Sequence, residues 1–150
     1  MKNKLLIFSG LALIAIFLGL FITIGPALNN NTSDGPKVTD VLNTPGQDAT
    51  DEERRQHFEL AAMLAEEADL LDITGCKADP VVLKLTDQET FGVKNDDIVP
   101  HVLRISDEIE FTVEANSTTG LKADFGHGVG LYGYGCDGST GAIGLFLVTF

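Results

Sequence analysis

Five side chains offer chemistry beyond packing and charge: the only two cysteines, Cys76 and Cys136, and the three histidines, His57, His101 and His127. Two thiols pair as a disulfide under oxidising conditions, or serve as soft ligands for a metal. Other templates are missing. The chain has no nucleophile elbow, phosphate loop or dinucleotide fingerprint. The glycine-dense stretch from Gly126 to Gly130 leads into the strand-like Leu131-Tyr132-Gly133-Tyr134 and not into a helix. Carboxylates are abundant, but in so acidic a chain they read as solvated surface, and the expectation is a protein that is not an enzyme. With 10 Lys and Arg against 22 Asp and Glu, a net charge of -12, the chain repels nucleic acid.

The compartment decides how the thiols are read. From Leu5 to Ile24 run twenty residues without a charge, about the length that crosses a bilayer as a helix. Lys2 and Lys4 precede the run and Asp34 is the first charge after it. That asymmetry puts residues 1–4 in the cytoplasm and everything after the anchor, residues 5–25, outside it. The run exceeds the apolar region of a cleaved signal, about 7–15 residues, and no small-x-small cleavage site follows. The sequence thus predicts a single-pass membrane protein with an extracytoplasmic C-terminal domain. In such a compartment an even cysteine count makes a disulfide the default reading, with metal ligation as its competitor.

Several elements must position these residues. Residues 26–49, rich in Asn, Thr, Gly, Pro and Asp, read as a flexible linker. Thr50 with Glu53 makes a capping box, and three acidic residues suit the positive end of a helix dipole. A short amphipathic helix over 50–69 follows, with Phe58, Ala61, Ala62, Ala65 and Ala68 on one stripe. His57 on this helix reads as a surface residue. From Leu70 the pattern changes to eight short β-like runs: 70–73, 81–85, 90–94, 101–105, 109–113, 118–123, 131–136 and 144–148. Turn residues separate them at a spacing of about 8–12, the pattern of an all-β sandwich or barrel over 70–150. The aromatic residues Phe91, Phe111, Phe125, Tyr132, Tyr134 and Phe146 fall in or beside these runs and read as core.

Three stretches resemble the cupredoxin family, the plastocyanin-related blue-copper proteins. Asp79-Pro80-Val81-Val82-Leu83 is similar to the family's strand entry. Phe91 to Asp97, followed by Pro100-His101-Val102-Leu103, is similar to the segment that supplies the first copper histidine. Gly130 to Cys136, with Ala142-Ile143-Gly144 beyond it, is similar to the strand that delivers the copper thiolate. The resemblance implies a mainly β, small Greek-key β-sandwich preceded by the transmembrane helix and the short helix. It also implies copper as the candidate cofactor and electron transfer to a redox partner protein as the candidate role.

The ligand set is incomplete against that pattern. A blue-copper site needs two His, one Cys and a weak axial ligand. Ser139 stands where the second histidine would fall and Ala142 where the axial methionine would. Only His101 and Cys136 remain. His127 lies nine residues before Cys136, beyond the start of a strand whose five steps alone span about 16 Å, so it belongs to the opposite pole. In the topology that the resemblance implies, Cys76 reaches the copper pole. The expectation is a Cys76–Cys136 disulfide where copper would sit. The alternatives are a copper carrier with His101, Cys136 and Cys76 as ligands, or a copper-free module offering its acidic surface to a protein partner.

Overall fold

The computed structural model describes Gly35 and residues 37–106 and 109–150. The predicted cytoplasmic residues 1–4, the anchor and the first part of the linker lie outside the described residues. Among the described residues no helix is long and apolar enough to cross a membrane.

Period-two burial dominates the chain after Leu70, and it builds two mixed sheets. The strands are β1 (Glu66–Glu67), β2 (Leu70–Asp72), β3 (Val82–Thr86), β4 (Thr90–Asn95), β5 (His101–Ile105), β6 (Ile109–Val113), β7 (Ser117–Lys122), β8 (Gly130–Cys136) and β9 (Gly144–Thr149). One sheet has the order β1-β3-β9-β8-β5-β6 and the other β2-β4-β7. Leu83, Leu85, Leu103, Ile105, Tyr132, Tyr134, Phe146 and Val148 from the larger sheet meet Leu71, Phe91 and Val93 from the smaller one. Phe146 is the hub, its ring stacked on Tyr134 at 4.4 Å and 5.2 Å from both Phe91 and Phe125. The eight predicted strands all form. The additional β1 has two exposed acidic residues and pairs in parallel with β3.

β9 explains why its sequence is a continuous apolar run rather than an alternating one. Phe146 and Val148 face the space between the sheets. Leu145 and Leu147 face the other way, against Val41, Ala61, Leu60 and Leu64. That second layer comes from α1 (Val38–Leu42) and α2 (Asp51–Leu64). Both bonds of the predicted capping box are present: the Glu53 N–H donates to Thr50 Oγ1 at 3.2 Å, and the Thr50 N–H to Glu53 Oε2 at 2.7 Å.

Four expectations change here. The helix stops at Leu64, short of residue 69, and Ala65 is already extended. Its packed face is His57, Leu60, Ala61 and Leu64, because two leucines bury more apolar surface than the predicted alanine stripe; Phe58 is left exposed. His57 is therefore half-buried and not a surface residue, its Nε2 2.7 Å from the Val41 carbonyl oxygen. The linker reading fails locally for the same reason. Val41, on the five-residue α1, is fully buried, and Arg54 donates to the carbonyls of Ala49 and Gln47. This short segment is held by α2, not by any periodicity of its own.

One close approach within the core makes a testable demand. A Cβ built on Gly144 would overlap the Tyr134 hydroxyl, which is itself buried without a hydrogen-bond partner among the described residues. Burial pushes this hydroxyl's pKa far above its usual value. Gly144→Ala is expected to destabilise by about 1–3 kcal/mol through overpacking. Tyr134→Phe, which removes an unpaired buried donor, is expected to be neutral or to stabilise by up to about 1 kcal/mol. Urea unfolding of the full chain, followed by circular dichroism, checks both.

Candidate functional site

At one pole the chain brings together the ends of β2, β4 and β8 and the start of β5. After β2 the backbone makes a six-residue loop, residues 73–78, pinched at its neck by paired Asp72 and Asp79 backbones with N–H···O distances of 2.9 Å. Asp72 Oδ1 accepts from the Thr74 N–H at 3.0 Å and from its hydroxyl at 2.6 Å, which turns the chain. Gly75 and Cys76 then both lie in the left-handed region, at φ 59° and 55°. This conformation is cheap for glycine and uncommon for cysteine.

Cys136 reaches the same place from the end of β8, where it is buried and paired with Leu103 of β5. Asp137 and Gly138, at φ 50° and 75°, form a tight turn closed by the Ser139 N–H to the Cys136 carbonyl at 2.9 Å. The Ser139 hydroxyl accepts from the Cys136 N–H at 3.1 Å and donates to the Gly141 carbonyl at 2.9 Å. The residue at the predicted second-histidine position thus holds the cysteine turn. Cys76 and Cys136 are joined as a disulfide, Cα to Cα 5.7 Å, closing a sequence separation of 60 residues.

His101 opens β5 and is buried, with 6% of its surface exposed. Its Nδ1 lies 2.7 Å from Asp137 Oδ2 and its Nε2 2.7 Å from Asp97 Oδ2. Two carboxylate acceptors, one on each ring nitrogen, favour the doubly protonated imidazolium form. Hydrogen bonds to Asp97 and then Asp137 raise its pKa above the usual 6.5 against the opposing effect of burial. Asp97 is held below the ordinary carboxylate range first by the Gly75 N–H, at 2.5 Å, and next by His101. Asp137 is lowered first by the Val102 N–H, at 2.8 Å, and next by His101. Asn95, fully buried, positions Asp97: its Oδ1 accepts from the Asp97 N–H at 2.8 Å. Its amide donates to the carbonyls of Val99, Val113 and Glu114.

Cys76, His101 and Cys136, the predicted site residues, are therefore neighbours, with Cys76 Sγ 3.6 Å from His101 Nδ1. The same sulfur lies 3.5 Å from Asp137 Oδ2; a disulfide sulfur has no proton, so this is a contact and not a hydrogen bond. His127 is exposed just before β8, at the opposite end of that strand from Cys136. Sequence reasoning missed the two carboxylates. The available signals were an aspartate four residues before His101 and another directly after Cys136.

Candidate ligand atoms of Cys76, His101, Cys136 and Asp137 lie within 4.8 Å of one another. In the observed state, however, the sulfurs are bonded to each other and both ring nitrogens are engaged by carboxylates. Thiolate and neutral imidazole are the ligands copper requires, and neither is present. The disulfide form does not fit the metal.

No protein-family profile matches the chain, and no curated protein does. Among solved structures, the chain is similar to a purple cupredoxin from Nitrosopumilus maritimus, at 18% identity and TM-score 0.41, over 53% of this chain and 98% of that one. It is similar to amicyanin in a Cu(I) form, at 22% identity and TM-score 0.45, over 59% of this chain and 89% of that one. It is also similar to a copper-containing nitrite reductase from Thermus scotoductus, at 17% identity and TM-score 0.44, over 54% of this chain but only 22% of that one.

The charged clamp sets a pH dependence. Because His101 is raised above 6.5, its contribution to stability is complete below that pH and is lost as pH rises through the raised value. Asp97 and Asp137 are lowered below 3.8, so their contribution is present above that pH and lost as pH falls through the lowered values. Stability of the full chain is expected to plateau between these limits and decline on both sides. His101→Gln should remove the alkaline decline; an unchanged decline in that variant contradicts the clamp.

Proposed function

We propose that the chain is a membrane-anchored, outward-facing cupredoxin-like domain of the redox class, with the Cys76–Cys136 disulfide as its redox group. The observation that carries this reading is the disulfide itself. It lies at the pole where the family resemblance places a copper ligand, beside an imidazolium at 3.6 Å. A bond needed only as a staple requires no such neighbour. The anchor and the outward orientation rest on Lys2, Lys4 and the apolar run from Leu5 to Ile24. They agree with the disulfide, since oxidising compartments are outside the cytoplasm. The net charge of -12 favours a redox partner that presents a basic surface.

A second reading, a copper-handling protein, draws on the four clustered donor residues. It applies only once the disulfide is reduced and His101 has given up a proton, when two thiolates and an imidazole suit Cu(I).

Two experiments test these readings. The full chain is equilibrated in dithiothreitol buffers of graded oxidation and its thiols are then alkylated; one reversible two-electron transition in the folded protein is expected. The reduced chain and its His101→Ala variant are then titrated with Cu(I) against a chromogenic chelator. Equal affinities support the dithiol reading, whereas a tenfold or greater loss in the variant moves the assignment to copper handling. The orientation is checked separately: protease added to intact cells should digest the domain, and full protection contradicts export.

A further inference from the structure

The two sulfurs of the disulfide are not equivalent, and the difference selects one of them for chemistry. Cys136 is 3% exposed. It is fixed by the β5–β8 ladder and by the Ser139 hydrogen bonds on both its N–H and its carbonyl. Cys76 is only half-buried and lies near the tip of loop 73–78, in a left-handed conformation that a cysteine adopts at some cost. The paired Asp72 and Asp79 backbones close the neck of this loop, so Cys76 sits on a loop that is set apart from the sheet strands. Beside the loop, Asp97 ties the Gly75 N–H to the next segment, where Ile98 is 87% and Val99 51% exposed. Ile98 and Val99 thus leave exposed apolar side chains on the segment tied to the loop that carries Cys76.

Resting on the redox reading above, we propose that Cys76 is the sulfur through which this domain exchanges its disulfide with a protein dithiol. The partner's thiolate attacks Cys76 Sγ, the Cys76–Cys136 bond breaks, and the electron pair leaves on Cys136. A mixed disulfide between Cys76 and the partner forms. The partner's second thiol then attacks its own half of that bond and releases Cys76. The partner is oxidised by two electrons to a disulfide, and its two thiol protons end on Cys76 and Cys136. Cys136, at 3% exposed, offers a partner's thiolate far less access.

The test uses the oxidised full chain in detergent. It is mixed with a reduced CxxC dithiol protein whose second cysteine is replaced by serine, quenched with N-ethylmaleimide, and digested for mass spectrometry. The expected product joins the probe to Cys76 and carries the maleimide on Cys136, in at least tenfold excess over the reverse. Dithiothreitol is applied in parallel. If it opens the bond but the probe forms no adduct, or joins Cys136 equally or preferentially, the exchange proposal is overturned and the redox reading stands. If the bond in the folded chain resists dithiothreitol as well, the redox reading itself fails.

Discussion

The bond between Cys76 and Cys136 joins a short loop of the smaller sheet's first strand to the end of a central strand of the larger sheet. It is the covalent tie between the two layers among the described residues, and the polar arrangement of that pole is built around it. Beside it, the Gly75 N–H donates to Asp97, and Asp137, held by the Val102 backbone, contacts His101. The imidazolium between the two aspartates then compensates charges that the acidic chain would otherwise leave to repel one another. Closing a loop of 60 residues restricts the unfolded chain, an effect of about 2–4 kcal/mol. For a domain with a sandwich core of modest size, that is a sizeable share of the stability.

The same geometry separates this pole from a working blue-copper site. Metal binding needs deprotonated ligands with free lone pairs. Here Ser139 uses its hydroxyl to hold the turn after Cys136, and His101 uses both nitrogens to hold carboxylates. Ser139, which departs from the copper pattern, and His101, which keeps it, are thus both committed to other bonds. The pole is held by a sulfur–sulfur bond and imidazole–carboxylate contacts.

Much of the fold was legible because burial period and turn residues are local signals. The predicted bounds of His101–Ile105 and Ile109–Val113 coincide with the observed strands, and the capping box at Thr50 formed as read. The misses have a common cause in contacts between residues distant in sequence. β1 is two exposed glutamates that form a strand only because β3 lies beside them. Val41 is buried because β9 has a second apolar face for α1 and α2 to cover. His57 looked like surface until its partner, 16 residues earlier, was in place. In the site, Cys76, Cys136 and His101 could be named from residue type and the family resemblance. Asp137 is 36 residues from His101, and only its place directly after Cys136 sets it apart from the chain's other aspartates.

In the native protein the Cys76–Cys136 bond is open to a thiol count. The full chain is isolated with excess N-ethylmaleimide present from lysis onward, and its intact mass is measured before and after reduction. No adduct before reduction, and two only after reduction and a second alkylation, is the expected result. Two adducts on the native chain, with both thiols free in the folded protein, would contradict it.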